Sequence, residues 1–319
     1  MFFKKTLFIP FAALQLFISC SSHKTLSIVN WNVQTFFDST TDGIEYSQFV
    51  TDKKWGKEMY KERLERLCSV IKKTDCDVFV MEELENEKIL FDIYNFMAGE
   101  WNFSKIYRWS CFAKTPGTSI GCGVLSRIPL KDLKVHGLDV RSAETQPRLR
   151  PVMEVTLCDN EKELVLFVNH WKSKRGGEEK TEVWRKREES VLAACVNSAS
   201  DVGRKFVCCG DFNRDINDFS VEASGSVYLR LSDDERCVKV LSPWFSDGNL
   251  VKPGSYFFRD EWSRIDNFFV DIAAGYKSFE VLTDGPWCYS ESKVPVSFKL
   301  YNGKGYSDHL PVKLELDWN

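Results

Sequence analysis

The chain has 319 residues, of which 43% are hydrophobic and 28% charged, and its formal net charge is -3. This length and composition allow a sizeable buried core and exclude a disordered chain. The slightly acidic balance does not favour a nonspecific nucleic-acid binder, which is usually basic over its contact face, although it leaves room for a local basic patch.

The first residues predict an export signal. Lys4 and Lys5 precede an almost wholly apolar stretch from Leu7 to Ile18. This stretch is too short to span the hydrocarbon core of a bilayer, which takes about 20 residues, and it has the basic start and short apolar run of a secretory leader. The leader ends in Ser19-Cys20, which resembles the bacterial lipobox, a signal for lipid modification of the cysteine.

We therefore expect a signal peptide at residues 1–19, a lipid-attachment tether at 20–24 and one catalytic domain at 25–319. The protein would be exported and anchored at the cell envelope as a lipoprotein through Cys20. Plain secretion and an uncleaved anchor remain the alternatives. The expected partners are a phosphate-ester substrate, with nucleic acid possible, and the membrane through the lipid anchor; no protein partner is inferred.

The rest of the chain mixes strands and helices, with no internal repeat and no linker. Apolar and β-branched runs predict strands at 26–33, 77–81, 123–126, 152–157, 164–168, 206–209, 265–270 and 310–316. Apolar residues at helical spacing predict amphipathic helices at 60–71 and 181–196. Several consecutive strands have no helix between them, which favours an α+β sandwich with antiparallel pairs over a doubly wound parallel sheet.

Ten cysteines follow Cys20 without a CxxC pair or a compact spacing. We expect most of them to be free buried thiols, and the spacing leaves any disulfide pairing open.

One pattern recurs along the chain: an apolar strand ends in side chains that can hold a metal or move protons. Buried polar groups must find partners, so several of them at strand ends make most sense if they converge on one site. The segments are Asn30-Trp31-Asn32, Glu82-Glu83, Asn169-His170, Gly210-Asp211-Phe212-Asn213, Arg264-Ile265-Asp266 and Ser307-Asp308-His309.

These residue types suit phosphate ester hydrolysis. The reaction needs a cation near the phosphoryl oxygens, and Glu and Asp oxygens suit Mg2+. It also needs a group that orients or deprotonates water, and imidazoles that stabilise charge or supply a proton. Taken alone, each segment is more often a solvated rim, a satisfied structural pair or a tight turn; their joint occurrence favours the catalytic reading.

Together these segments resemble the endonuclease/exonuclease/phosphatase superfamily, which includes pancreatic-type deoxyribonucleases, abasic-site endonucleases, inositol-polyphosphate phosphatases and bacterial sphingomyelinases. The matching stretches appear in the family's order from Leu26 to Val312. The resemblance implies a four-layer α/β sandwich of two mostly antiparallel sheets flanked by helices.

The resemblance also implies the role of each residue. Glu83, aided by Asn32, would hold Mg2+, with Mn2+ or Ca2+ as alternatives. Asp308 would orient a histidine or hold a second metal. The remaining roles concern the reaction itself: Asp211 would activate the attacking water, Asn213 would bind the scissile phosphate, His309 would stabilise the transition state, Asp266 would pair with a histidine and His170 would act near the leaving group.

Two positions depart from the family pattern. Glu82 stands where many members have Gln, and we expect it to face solvent, with a metal-binding role as the alternative. Gln34 stands where abasic-site enzymes often have Asp, which weakens a DNA-repair function.

A basic segment from Lys172 to Arg187 could hold a polyanionic substrate, and Arg150, Lys172 and Lys174 are the candidate phosphate contacts. The alternative is a solvated helix face with interleaved glutamates. The expected function is metal-dependent hydrolysis of phosphate ester bonds, as a phosphodiesterase or endonuclease. A phosphatase or phospholipase-like enzyme for lipid or sugar phosphates is one alternative, and a catalytically inactive binding module is the other.

Overall fold

The protein is described by a computed structural model that covers residues 25–138, 146–222, 224–231, 236–246 and 249–318. The expected signal peptide at 1–19 and tether at 20–24, with Cys20, lie outside the described residues. Within the described ranges, no helix has both the length and the apolar character needed to cross a membrane.

The chain forms eighteen strands within the described residues. In order they are β1 (Thr25–Phe36), β2 (Val78–Leu84), β3 (Trp109–Ala113), β4 (Gly121–Ser126), β5 (Leu130–His136), β6 (Val152–Asp159), β7 (Lys162–His170), β8 (Phe206–Asp211), β9 (Ser220–Val221), β10 (Ser226–Arg230), β11 (Cys237–Leu241), β12 (Phe245–Ser246), β13 (Asn249–Leu250), β14 (Tyr256–Phe258), β15 (Glu261–Ser263), β16 (Asp266–Val270), β17 (Ser278–Val281) and β18 (Val312–Asp317).

Four α-helices accompany the strands in the same ranges. They are α1 (Ser47–Thr51), α2 (Lys57–Thr74), α3 (Lys88–Glu100) and α4 (Glu178–Asp201). Single turns of 3-10 helix lie at Phe103–Lys105, Ile216–Asp218 and Leu300–Asn302.

Two large sheets carry most of the strands. The six-stranded sheet has the order β17-β18-β1-β2-β4-β3, and the eight-stranded sheet has the order β5-β6-β7-β8-β16-β11-β10-β9. Most neighbouring strands are antiparallel, but β1 pairs with β2 in parallel and β7 pairs with β8 in parallel. The expected α/β sandwich of two mostly antiparallel sheets is confirmed.

The two parallel pairs position the polar segments. Asn32 lies opposite Glu82 in the β1–β2 register, and His170 lies opposite Asp211 in the β7–β8 register. Because parallel strands run out at the same sheet edge, each pair delivers its polar residues to one place.

The helices cover the outer faces. On the six-stranded sheet, the α2 residue Tyr60 stacks edge-on against Phe36 of β1, with ring centroids 6.3 Å apart. Helix α3 follows β2 directly, and its Leu90 lies over Gly123 of β4. Helix α4 packs against β8, β10 and β11 of the other sheet. The inner faces of both sheets share one continuous apolar core.

All ten cysteines from Cys68 to Cys288 are unpaired, and Cys208 and Cys209 are fully buried in β8. Seven of the ten are buried and contribute to the core as small apolar side chains, whereas Cys158 and Cys195 are partly exposed and Cys237 is exposed, so the expectation of mostly buried free thiols is confirmed.

Candidate active site

The polar segments converge where the two sheets face each other. The six-stranded sheet contributes Asn32 and Glu83, and His309 lies in the segment just before its strand β18. The eight-stranded sheet contributes His170, Asp211 and Asp266. Direct contacts described below connect the two sets, so the site spans the seam between the sheets.

Asn32 connects the two sheets. Its Nδ2 donates to Oε1 of Glu83 at 3.2 Å and to Oδ2 of Asp211 at 3.0 Å. Its own Oδ1 accepts the amide of Gln34 at 2.9 Å. Asn32 is 1% exposed. An amide that reaches two carboxylates from different sheets fixes their separation.

A strained turn at the end of β1 holds the Glu83 carboxylate. Gln34 and Thr35 have φ of 52° and 49°, and Glu83 has φ of 68°. The Thr35 amide donates to Oε2 of Glu83. Positive φ in non-glycine residues costs energy and persists only when the surroundings enforce it, which is common at functional sites.

Arg63 of α2 provides that enforcement. Its guanidinium donates to the backbone oxygens of Val33, Gln34 and Thr35. The side chain is nearly fully buried, and its charged group lies 3.5 Å from the Phe298 ring centroid. Arg63 therefore satisfies three carbonyls of the turn that presents Thr35 to Glu83.

His309 and Asp266 form a close pair. Nδ1 of His309 lies 2.8 Å from Oδ2 of Asp266. Burial alone would lower the pKa of His309, but the charge and hydrogen bond of Asp266, followed by the charges of Asp211 and Asp308, hold it well above its usual value. The imidazole is therefore cationic at neutral pH, and Asp266 fixes its tautomer and orientation.

Backbone contacts fix His309 as well. The hydroxyl of Ser307 donates to the Asn32 carbonyl and accepts the His309 amide at 3.1 Å. Nε1 of Trp31 donates to the His309 carbonyl at 2.9 Å. His309 is thus tied to β1, the strand that carries Asn32.

Asp211 lies between the two histidines. Its Oδ2 is 3.7 Å from Nε2 of His170 and 4.0 Å from Nε2 of His309. Burial raises the pKa of Asp211 to about 7, with the charge of His309 opposing the shift. Its Oδ1 accepts the amide of Asn213 at 2.8 Å. A carboxylate with a pKa near neutrality is matched to general base catalysis.

His170 differs from His309 in charge, because its surroundings favour the neutral imidazole. Burial lowers its pKa well below the usual value, and the charges of Arg150 and His309 act in the same direction. Nε2 lies 3.8 Å from Oε1 of Glu83, and Nδ1 is buried without a hydrogen-bond partner. The site therefore pairs a neutral imidazole with a cationic one.

Gly210 permits the close approach of β7 and β8 beneath the site. Its φ is 144°, and a Cβ atom placed there would lie 1.9 Å from the Asn169 carbonyl oxygen. The side chain of Asn169 bonds to backbone carbonyls and to Trp171, so it has a structural role. Asn213 has φ of 49°, and its Nδ2 donates to the Trp171 carbonyl at 3.1 Å.

Asp308 is half-buried beside the cluster. After burial, its negative charge is the largest factor raising the pKa of Glu83. It also raises the pKa of His309, although less than Asp266 and Asp211 do. Glu83 and Asp308 therefore place two acidic groups close enough to repel each other.

Glu82 does not face solvent, so that expectation is wrong. The residue is fully buried, and Nδ2 of Asn30 donates to its Oε2 at 3.4 Å, while Oε1 has no partner. Burial raises its pKa well above the usual value, and the charges of Asp266 and Asp211 add to the shift. The strand continues through Glu82 into the seam, so alternation points this side chain inward and Glu83 toward the cleft.

The three basic candidates for phosphate contacts already bind carbonyl oxygens or a carboxylate of the protein itself. Arg150 donates to the carbonyls of His170 and Trp171. Lys172 donates to the Ser173 carbonyl at 3.0 Å, and Lys174 pairs with Glu178. Arg185, in the same basic segment, is fully buried. Arg150 thus supports the backbone that carries His170.

Comparison with known proteins gives the family. The model of the Endonuclease/Exonuclease/phosphatase family matches residues 27–317. The chain belongs to this family. It is accordingly a hydrolase that acts on phosphate esters, in the class of phosphoesterases and nucleases. A search of curated proteins by sequence found no match.

Solved structures agree with this family's fold. Truncated TDP2 of Caenorhabditis elegans superposes with a TM-score of 0.58 at 12% identity, covering 92% of this chain and 98% of that one. The catalytic domain of human Nocturnin, with a bound sulfate anion, gives 0.56 at 15% identity, covering 92% and 94%. An endonuclease/exonuclease/phosphatase family protein of Bacteroides thetaiotaomicron gives 0.53 at 16% identity, covering 92% and 97%.

The donor set of this family member fits a divalent cation. Glu83 and Asp308 repel each other, and a cation between oxygen ligands removes that repulsion. Among the described residues, three acidic, histidine or cysteine ligand atoms lie within 4.8 Å of one another only at Asp42, Glu45 and Glu85, outside this cluster. A metal at Glu83 would therefore take few protein ligands, as Mg2+ commonly does.

Sequence reasoning missed two tyrosines at the site. Burial raises the pKa of Tyr46, and the charge of Glu83 adds to the shift, which places Tyr46 near this carboxylate. The ring of Tyr256 lies 4.7 Å from the His309 ring, and burial followed by Asp308 raises its pKa to about 12. Tyr46 lies in a loop and Tyr256 begins the three-residue strand β14, and single aromatic residues in such short segments carry no periodic signal.

Proposed function

We propose that this phosphoesterase hydrolyses phosphodiester bonds by in-line attack of a water molecule, with Mg2+ as the catalytic ion. The observation that carries the proposal is the placement of Asp211, whose Oδ2 lies within 4.0 Å of Nε2 of both His170 and His309. A carboxylate so placed can take a proton from water beside a cationic imidazole.

The residues divide the work by charge. Glu83, held by Asn32 and Thr35, is the ion's principal ligand, and Asp308 is the second candidate. When bound, the ion would supply positive charge to the phosphoryl oxygens. Asp211 orients and deprotonates the attacking water, and the amide of Asn213 keeps Oδ1 of Asp211 directed.

The histidines act on the developing negative charge. His309, kept cationic by Asp266, donates from Nε2 to a non-bridging phosphoryl oxygen and stabilises the transition state. His170 is neutral and lies at the other side of Asp211, where it can accept or deliver a hydrogen bond near the leaving oxygen. Asn213 would bind the phosphate once substrate displaces its contact with the Trp171 carbonyl.

A substrate panel tests this function. Plasmid DNA, RNA, bis-nitrophenyl phosphate, a nitrophenyl monoester and sphingomyelin are compared with Mg2+, Mn2+ and Ca2+. We expect diester turnover with Mg2+, abolished by EDTA and by Glu83→Gln, and unaffected by the control Glu291→Gln on the exposed surface. Full activity in metal-free buffer would reject the metal-dependent mechanism. Exclusive hydrolysis of the monoester would reject the diester assignment in favour of a phosphatase. Exclusive hydrolysis of sphingomyelin, which is also a phosphodiester, would assign a phospholipase-like enzyme in place of a nuclease.

We also propose that the protein works outside the cytoplasm, tethered through Cys20. The support is the basic, apolar leader followed by Ser19-Cys20. Metabolic labelling with a radioactive fatty acid tests this: the wild-type chain should carry label in the membrane fraction, and Cys20→Ser should not. An unlabelled wild-type chain would contradict the proposal.

A further inference from the structure

A second group of acidic side chains lies outside the catalytic cluster. Asp42 and Glu45 belong to the loop after β1, and Glu85 directly follows β2. One carboxylate oxygen from each lies within 4.8 Å of the others. None of the three was singled out by the sequence patterns.

Glu85 makes this group more than a cluster of surface acids. The residue is 1% exposed. Its Oε2 accepts the Asp38 amide at 2.6 Å, whereas Oε1 is buried without a hydrogen-bond partner. An unpaired oxygen on a buried carboxylate costs free energy unless a proton donor or a cation meets it.

The protein's own cations do not neutralise the group. The Lys114 ammonium interacts electrostatically with all three acids, but its Nζ donates to the backbone oxygen of Glu85 at 2.7 Å. In the described part of the chain it forms no ion pair with Asp42, Glu45 or Glu85. Three acidic groups thus lie near one lysine, whose ammonium donates its hydrogen bond to a backbone carbonyl.

The group is separate from the catalytic acids. Glu83 bonds to Asn32 and Thr35, and Glu85 bonds to Asp38. The two glutamates therefore serve different loops, although they are only two residues apart in the chain.

We propose that Asp42, Glu45 and Glu85 bind a structural Ca2+ ion, distinct from the catalytic ion. Oxygens that coordinate one Ca2+ at 2.3–2.6 Å can lie up to roughly 5 Å apart, and Ca2+ accepts several carboxylates in a flexible geometry, whereas Mg2+ is usually held by one or two carboxylates. The three carboxylate oxygens lie within 4.8 Å of one another, so one Ca2+ ion can reach all of them. Water molecules complete the shell, because Asp42 is exposed and Glu45 is half-buried.

The bound ion would tie the loop after β1 to the end of β2. Tyr46 immediately follows Glu45, and its ring packs against Phe37 with centroids 5.5 Å apart. Since Tyr46 is also near Glu83, the ion would order a wall of the catalytic cleft without taking part in the reaction.

Calorimetric titration with CaCl2 tests the proposal in a Glu83→Gln background, which weakens binding at the catalytic position. Three proteins are compared: Glu83→Gln alone, Glu83→Gln with Asp42→Asn and Glu45→Gln, and Glu83→Gln with the surface control pair Glu161→Gln and Glu291→Gln. We expect one Ca2+ per chain in the first and third proteins and none in the second.

Thermal unfolding gives a second readout. With Ca2+ at 100 times its Kd, Tm should rise by about 5 °C in the first and third proteins and stay unchanged in the second. Asp42 and Glu45 lie in a surface loop, and circular dichroism confirms that their variant folds. Undiminished Ca2+ binding in the second protein, or no binding in the first at concentrations on the order of 10 mM, would overturn the proposal.

Discussion

Among the three acids that hold the pKa of His309 up, Asp266 has the largest effect. Asp266 is fully buried and lies 2.8 Å from Nδ1 of the imidazole, on the far side from Asp211. An imidazole that must carry positive charge inside a protein needs such a partner, because burial alone favours the neutral form.

This dependence gives a prediction for His309→Ala. Turnover should fall by about 10²–10⁴-fold, with a much smaller change in substrate affinity, because the imidazolium acts on charge that develops in the transition state. Steady-state kinetics with bis-nitrophenyl phosphate and Mg2+ measures both quantities. Equal losses in kcat and affinity would contradict the assigned role.

Asp266→Asn separates charge from position. The amide keeps a hydrogen bond to Nδ1 but removes the negative charge, so the pKa of His309 should fall. We expect the NMR titration of this histidine to move to lower pH, and kcat to fall at neutral pH. An unchanged histidine titration in Asp266→Asn would rule out this electrostatic coupling.

At this scale, sequence reasoning selected most of the residues that meet in the cleft. It succeeded where a polar side chain interrupts an apolar strand, as at Asp211 and His170. It was wrong about Glu82, because a strand end does not show which face its last acids occupy. It missed Tyr46 and Arg63, whose importance comes from a loop and a helix that only tertiary packing brings to the site.

Helix α2 supports the Glu83 carboxylate through Arg63. The guanidinium binds three successive carbonyls of the turn at Val33–Thr35, and Thr35 holds Oε2 of Glu83. The arrangement needs a planar group with several donors, which a lysine does not offer. Arg63 therefore positions Glu83, the proposed metal ligand.

Arg63→Lys should raise the Mg2+ concentration needed for half-maximal activity by about 10–100-fold, the usual effect of losing a residue that supports a metal ligand. Lys61→Arg, on the exposed face of the same helix, is the matched control. Activity measured against Mg2+ concentration gives the comparison. A loss of stability with an unchanged Mg2+ requirement would assign Arg63 a purely structural role.

Strands β7 and β8 meet at Gly210 with no room for a side chain. Gly210→Ala should destabilise the fold by about 3 kcal/mol or more, because Cβ would overlap the Asn169 carbonyl. Gly203→Ala is the control, since its φ of 70° is also positive but no atom lies within 4 Å of the added Cβ; it should cost roughly 1–2 kcal/mol. Urea unfolding measures both, and equal costs would show that crowding at Gly210 is unimportant.

Among the elements, most of the long strands and the helices α2 and α4 followed from periodicity, with ends that differ from those expected by a few residues, whereas the seven-residue strand β5 was not predicted. Helix α3 was missed although Lys88, Asp92 and Asn95 recur at helical spacing on one side, because its apolar residues, including the exposed Phe91, outnumber them and weaken the contrast between the two faces. The short strands from β9 to β15 were missed because two to five residues carry too little pattern.

The stability of the whole molecule should depend on pH through an ion pair in the eight-stranded sheet. Nε2 of His136 lies 2.8 Å from Oε2 of Glu154. Cys195 and then Glu154 raise the pKa of His136 to about 9. Burial acts to raise the pKa of Glu154, but His136 and Lys134 lower it to about 2.

The two shifts define a pH window. The raised pKa of His136 contributes stability that is complete below pH 6.5 and lost between 6.5 and about 9. The lowered pKa of Glu154 contributes stability that is present above pH 4.5 and lost as pH falls toward 2. Wild type should exceed His136→Gln by roughly 1–2 kcal/mol near pH 5.5, after allowance for the partly exposed ring, and by much less at pH 9.5. Urea unfolding at both pH values measures this, and a pH-independent difference would refute it.

At the molecular scale, consecutive strands without a helix between them predicted a sandwich with antiparallel pairs, and the family resemblance carried by the motifs implied its four-layer arrangement. The pairing of strands distant in sequence could not be predicted in this way. Strands β1 and β18 lie side by side although almost the whole chain separates them. Which distant strands pair depends on tertiary packing of the core, which local sequence patterns do not show.

Because the cleft is divided between the two sheets, activity depends on how the sheets pack against each other. Neither sheet carries all the reactive groups. A molecule in which the two sheets have begun to separate should therefore lose activity before it loses secondary structure. On heating or in mild denaturant, enzymatic rate should consequently decline ahead of the far-ultraviolet signal. An inhibitor bound between the two sheets would act by separating the residues of the site, and it would not need to resemble the substrate.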